Sequence, residues 1–456
     1  MSENLATPTE ATARVTKGHF KRVLGTPSLV LFGLVYMVPL TVFTTYGIVT
    51  QLTGGRLVDS YLIVLVVMLF TARSYARMTV AYPYAGSAYM YSQQTFGGAI
   101  GFLTGWALLL DYLFLPMINY LVIGIYLNQY VPAVPQWVWI LIVIVIVTVL
   151  NIIGIISVAR ANFVIIAVQA IFCVLFVIFA LSNAAGHHAN ILAPFTGDGS
   201  VTSAGPVFNG AAILALSFLG FDSVSTLAEE AKDARRDVPR AIMICTLSAG
   251  IVFIILAYAA QLVYPATNFG AHADAASVPV ISAAGQWLSV VFIAAYVAGA
   301  SGSALTSQAS VARILFAMGR DGVLPRRVFG GLSVRFGTPT IAILIVSVVS
   351  LGAIWIDLAT LSNMISFGAL IAFSMVNLSV FVHFYIRARQ RGGWAWLNNL
   401  VLPLVGFLLT IWLWTSLSGI TFIIGLSWLL IGFIILLIVT RFFRRPTPTL
   451  DLKETA

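Results

Sequence analysis

The sequence predicts an all-α integral membrane protein of about twelve transmembrane helices. It predicts an inverted five-plus-five repeat with breaks in helices 1 and 6. Three observations carry this. Apolar runs long enough to cross a bilayer recur along the whole chain. Nearly every cation falls on one side when those runs alternate. The two conspicuously interrupted runs stand five apart.

The 456 residues are 60% hydrophobic and only 9% charged, too little charge to cover the surface of a soluble domain. The runs lie near 27–50, 58–79, 99–126, 136–156, 161–182, 209–229, 241–264, 280–311, 339–358, 360–386, 397–416 and 418–440. The pieces between them leave no room for a separate soluble domain. The organisation read from this is a cytoplasmic tail over 1–24 and a ten-helix core over 25–388. Helices 11 and 12 follow over 389–442, then a second tail over 443–456. The N-terminal stretch is polar and lacks an apolar h-region, which predicts a cytosolic tail and not a signal peptide.

Charge placement sets the orientation. Of the 24 lysines and arginines, 23 share one side of the alternating spans and Arg56 alone lies opposite. The positive-inside rule then puts both termini in the cytoplasm. The net charge of +9 reads as topology, so nucleic acid is not an expected partner. Cys173 and Cys245 both fall inside spans, which disfavours a disulfide framework or a metal site. The adjacent His187 and His188 sit in an external loop with no further ligand at a useful spacing. No Walker A or dinucleotide fingerprint is present, and the five histidines are scattered, which disfavours ATP-driven transport and an embedded enzyme.

The breaks come next. Span 1 reads PSLVLFGLVYMVPLTVFTTYGIVT, and Pro39 removes a backbone donor at mid-span. Span 6 reads NGAAILALSFLGFDSVSTLAEEA, interrupted by Ser217, Gly220, Asp222, Ser223 and Ser225. Broken backbone is tolerated at membrane depth only where it is buried in protein or lines a cavity. Five helices per half start the second half from the opposite side, as inversion requires, and place a site between the breaks. The segment 81–92, between spans 2 and 3, is too polar to span and reads as a short re-entrant or amphipathic piece.

Most acids sit in loops, Asp59, Asp198, Asp274 and Asp357 among them, and read as solvated charge. Asp222 and Asp111, in GFLTGWALLLDYLFLPMIN, lie near the middle of spans 6 and 3. No basic residue lies inside a span near them. Such a carboxylate is protonated, hydrogen-bonded across helices, or waiting for a cation from outside. The first state suits proton coupling, and no cofactor is implied. Glu229 and Glu230 follow toward the cytoplasmic mouth, where they either serve coupling or meet the arginine-rich loop. Tyr36, Tyr112, Phe218 and Phe221 stand beside the acids and breaks, placed for cation–π contact or for ordinary packing. Spans 11 and 12 show no polar feature that suggests a role.

The stretches Tyr84–Tyr89, Asp111–Asn119, Ser217–Asp222, Met318–Asp321, Phe367–Leu370 and Val376–Phe381 resemble the amino acid–polyamine–organocation (APC) permeases. Within them the likeness is to the bacterial putrescine-importer branch, over about 25–440. The resemblance implies the APC fold and a multi-pass protein of the bacterial cytoplasmic membrane. It also implies alternating access, with substrate held between spans 1 and 6 beside spans 3, 8 and 10. By position, Tyr36 to Pro39 would form the first break and Gly220 to Ser225 the second. Asp111 and Tyr112 match an acid–tyrosine pair of cationic amino acid transporters. Two departures stand out. A putrescine importer of that branch carries an aspartate where this chain has Thr44. Cationic amino acid members carry a lysine at Gln169, where the putrescine branch also has glutamine. The expected function is proton-coupled import of a small organic cation such as putrescine. The alternative is a cationic or neutral amino acid permease or exchanger.

Overall fold

The computed structural model describes residues 24–84, 87–154, 158–186, 189–320, 324–333, 335–445 and 447. Residues 1–23, most of the C-terminal tail, His187, His188, Asp321 and Gly322 lie outside them. α1 (Thr26–Met37) and α2 (Thr41–Thr53) meet at an angle of 46°. α3 (Leu57–Ala81), α4 (Ser87–Phe96), α5 (Gly98–Tyr130), α6 (Gln136–Ile153) and α7 (Val158–Gly186) follow. Beyond a connecting loop come α8 (Gly205–Leu214), α9 (Asp237–Val263), α10 (Ser277–Ala284) and α11 (Gln286–Arg320). α12 (Thr340–Ser350), α13 (Leu358–Val380), α14 (Leu402–Thr415) and α15 (Gly419–Val439) complete the described chain.

Ten helices among the described residues are long and apolar enough to cross a membrane, or eleven with the bent α1–α2 pair as one span. The run expected as the ninth span differs. It forms the 11-residue α12, prolonged by a four-residue 3₁₀ turn at Leu351–Ile354. At about 1.5 Å per residue that piece falls short of a roughly 30 Å hydrocarbon core. The segment after α3 forms α4, a ten-residue helix too short to span. Its Tyr91 hydroxyl lies 2.9 Å from that of Thr79 on α3.

α5 is apolar on every face and is the buried axis of the molecule, which is why Asp111 cannot escape to water. α15 is the most apolar helix and yet lies largely exposed, as a lipid-facing span should. It is fastened to the core along one seam. Gly425 lets the Phe367 ring approach, and Gly432 does the same for Trp106. Trp106 and Trp428 stack with centroids 4.9 Å apart, and each indole N–H donates to the other's carbonyl at 2.8 Å. Span 11 is not silent either. Ser374 of α13 donates to Thr410 of α14 at 2.8 Å, and Gly406 of α14 packs on the side chain of Asn377, which donates from α13 to Thr71 of α3 at 3.1 Å.

In the loop ahead of α8, Asp198 is a clasp, where the sequence suggests a merely solvated charge. Its carboxylate accepts from the Ser200 hydroxyl at 2.5 Å, the Thr267 hydroxyl at 2.5 Å and the Ser200 amide at 2.8 Å. Its own amide donates to Gly54 at the end of α2. The hydrogen bonds from Ser200, and next from Thr267, hold this carboxyl below its ordinary value. The clasp is therefore at full strength above about pH 4 and is lost as pH falls through the depressed value. Protection of the amides in residues 193–200, corrected for intrinsic exchange, is expected to fall as pH drops from about 4 to about 2, and to be low already at about pH 5 in Asp198→Asn. A flat profile would remove the clasp.

Candidate transport site

The first break is made by two residues. α1 ends at Met37, and Val38 adopts φ 51°, ψ 96°, a conformation rarely taken by a β-branched residue. Pro39 supplies no amide, so the helical ladder cannot continue through it. The Thr41 side chain collects the stranded carbonyls of Met37 and Val38 at 2.8 and 2.6 Å. Strain of this kind, of order 1–3 kcal/mol, persists only where surrounding packing imposes it.

The second break is longer. α8 gives way to a 3₁₀ turn at Ala215–Phe218, then extended backbone at Leu219 and φ 133° at Gly220. A second 3₁₀ turn runs over Ser223–Leu227. Side chains replace the missing helical bonds. Ser223 donates to the Gly220 carbonyl, Ser225 to that of Asp222 and Thr226 to that of Ser223, each at 2.6 Å. Asp222 accepts the Gly220 amide at 3.2 Å. The two breaks touch. A Cβ placed on Gly220 would lie 3.0 Å from Met37 N, Met37 Cγ and Tyr36 Cδ1.

Asp111 and Asp222 converge on this point from α5 and the second break. Both are buried, at 4% exposure each, and they interact electrostatically with one another and with Tyr36, Tyr75 and Tyr112. Asp222 is engaged with backbone. Asp111 Oδ1 is buried with no hydrogen-bond partner. Gly368 of α13 packs against the Asp111 amide and the Ala107 carbonyl, closing the third side. An ionised carboxylate cannot rest at this depth without a compensating charge, so the pair of acids suits a cation or a proton.

Aromatic rings pack around the second break. Phe221 stands edge-on to Tyr75 at 5.6 Å and lies 5.2 Å from Phe373, while Tyr75 also meets Tyr91 at 5.9 Å. Sequence reasoning does not reach Tyr75, Tyr91 and Phe373. Tyr75 sits between Arg73 and Arg77, a pattern that signals only a cytoplasmic helix end.

Other candidates lie elsewhere. Phe218 packs on Phe253 of α9 at 5.3 Å, and the Ser217 hydroxyl lies 3.3 Å from that of Tyr61 on α3. Both belong to the wall behind the break. Thr44 is hydrogen-bonded to the Tyr296 hydroxyl of α11. Gln169, on α7, is buried with Oε1 unpartnered, one turn before Phe172, which packs on Phe43. Glu229 and Glu230 are half-buried where the chain leaves the second break. There the Leu24 amide donates to Glu230 O at 3.0 Å and the Lys232 amide to Leu24 O at 2.8 Å. Thr26 adds a 2.7 Å bond to Asp237.

Residues 28–449 match the amino acid permease family. The chain is 38% identical to the low-affinity putrescine importer PlaP of Escherichia coli K12, over 98% of this chain and 99% of that protein. It is 27% identical to the branched-chain amino acid permease BcaP of Bacillus subtilis, over 92% and 93%. It is 26% identical to the chloroplastic cationic amino acid transporter 7 of Arabidopsis thaliana, over 85% and 70%. With a match across its whole spanning region, this multi-pass protein belongs to the amino acid permease family of the APC superfamily, a family of transporters and not of enzymes.

Proposed function

We propose that this permease imports a small organic cation, a diamine such as putrescine, by proton symport. The observation that carries the reading is Asp111 Oδ1: a buried carboxylate oxygen without a partner, beside a second acid and a set of tyrosines. An ammonium group would supply the missing donor and the missing charge. Asp222 would hold the unwound backbone through Gly220 and lend its field to the site. Symport requires the proton to travel with the substrate, so Asp111 would meet the ammonium while a second acid, Glu229 or Glu230 beyond the second break, would carry the proton in the same step. The full-length similarity to a putrescine importer supports the choice of substrate.

In this reading the two broken spans belong to opposite halves of an inverted repeat, and rocking of one bundle against the other gives alternating access. The arginine distribution supports cytoplasmic termini, and the bacterial importer supports residence in the bacterial cytoplasmic membrane. Similarity to BcaP keeps an amino acid substrate as the second reading, with backbone amides at the breaks receiving its carboxylate.

Uptake into proteoliposomes with only an imposed pH gradient separates them. Labelled putrescine is expected to accumulate, with arginine and alanine at least tenfold behind. Accumulation of arginine or alanine alone would transfer the assignment to the second reading. No accumulation of any of the three would end both.

A further inference from the structure

The face carrying Arg73 and Arg77 is built around guanidinium groups that, among the described residues, form no ion pair with a carboxylate. The two residues are four apart on one side of α3 and act on each other as like charges. Arg73 donates to Asn398 and Arg77 to Asn399, each at 2.6 Å. Those partners are neutral amides, which orient the forks and leave both charges uncompensated. Arg77 is half-buried, its guanidinium carbon lies 4.4 Å from the Phe384 ring centroid, and its Nε is buried without a partner. A half-desolvated cation pair of this kind calls for an anion whose oxygens can accept from both guanidinium forks.

Backbone geometry gives an independent sign. The segments Phe381–Arg387 and Leu397–Val401 are both π-helical, and among the described residues no other segment is. π turns are rare and gather at functional sites. These two supply Phe384, Asn398 and Asn399 to the Arg73–Arg77 cluster, and Arg387 stands on the first of them. Arg387 is placed by a 3.1 Å bond to the Gln94 carbonyl, and Asn399 by a 3.0 Å bond to that of Gln390.

We propose that this cluster binds the phosphate of an anionic phospholipid headgroup in the cytoplasmic leaflet. Its surroundings select a lipid over a soluble phosphate. Trp394 and Trp396, between the two π turns, are 78% and 51% exposed, where tryptophan marks the headgroup level of a bilayer. Val80 and Ile386 expose apolar surface on α3 and on the first π turn, available to acyl chains. Basic pockets between spans on the cytoplasmic side are suited to such headgroups. The bound lipid would bridge α3 to the α13–α14 connection.

Detergent-purified full-length protein, titrated with phosphatidylglycerol and with phosphatidylcholine of matched chains, provides the test. Native mass spectrometry and melting temperature are the two readouts. Wild type is expected to retain phosphatidylglycerol and to be protected by it, and phosphatidylcholine is not expected to substitute. Each arginine is worth roughly fivefold in affinity, so Arg73→Gln/Arg77→Gln should bind about 25-fold more weakly. Arg73→Gln alone, at an exposed position, should give about fivefold and serves if the double variant does not fold. Arg235→Gln/Arg236→Gln, exposed arginines from a different loop, should bind like wild type. The proposal is overturned if the double variant binds as tightly as wild type, or if phosphatidylcholine matches phosphatidylglycerol. It is also overturned if glycerol 3-phosphate alone gives the same protection, or if the Arg235/Arg236 control weakens equally.

Discussion

Asp111→Asn is expected to abolish cation uptake while leaving the protein folded. The amide keeps the volume of the carboxylate and removes its charge. Truncating one side of a buried, hydrogen-bonded charge pair costs about 2–4 kcal/mol, which is about 30- to 1000-fold in transport efficiency. Asp222→Asn is expected to be milder, under about tenfold, because its amide oxygen can still accept the Gly220 amide. Asp222→Ala removes that acceptor and should destabilise the break by about 1–2 kcal/mol. Putrescine uptake and thermal stability, measured on all three, separate a group that meets the substrate from one that holds the backbone. Equal loss of uptake in Asp111→Asn and Asp222→Asn would undo the division of labour.

The second large effect is expected at Gly220. Alanine there meets two penalties at once. Its φ of 133° is unfavourable for any side chain, and the added methyl would press on Met37 and Tyr36 at 3.0 Å. Backbone strain and overpacking each cost about 1–3 kcal/mol, so Gly220→Ala should lose about 2–6 kcal/mol and most transport. Gly205→Ala is the control, since a methyl added there meets nothing within 4 Å and the residue begins α8. Wild-type melting and uptake in Gly220→Ala would show that the two breaks do not need to touch.

Much of the membrane architecture is legible in the sequence because its physics is one-dimensional. Apolar runs and one-sided arginines need no knowledge of neighbours. Asp111 and Asp222 are legible for the same reason, as costly charges in apolar segments. Contacts across helices leave no such trace. Nothing in the local pattern around Val38 announces its left-handed backbone, since valine is a poor residue for it. The Trp106–Trp428 exchange and the Ser374–Thr410 bond join residues that look like ordinary lipid or core positions in their own segments. The sequence marks Thr44 only by an absent acid, whereas the structure gives its hydroxyl a partner in Tyr296. The shortness of α12 escapes the sequence because a run of apolar residues reports hydrophobicity and not where the helix stops.

The pairing of Leu24 with the chain around Ala231 has a consequence for motion. Two backbone hydrogen bonds and the Thr26–Asp237 bond yoke the stretch ahead of the first break to the stretch beyond the second. A displacement of either arm alone must sever that yoke, at about 0.5–1.5 kcal/mol for each bond. A displacement of both together leaves it intact. The inexpensive displacement therefore moves the two arms as one lever, with the strained backbone at Val38 and the glycine at 220 as its fulcrums.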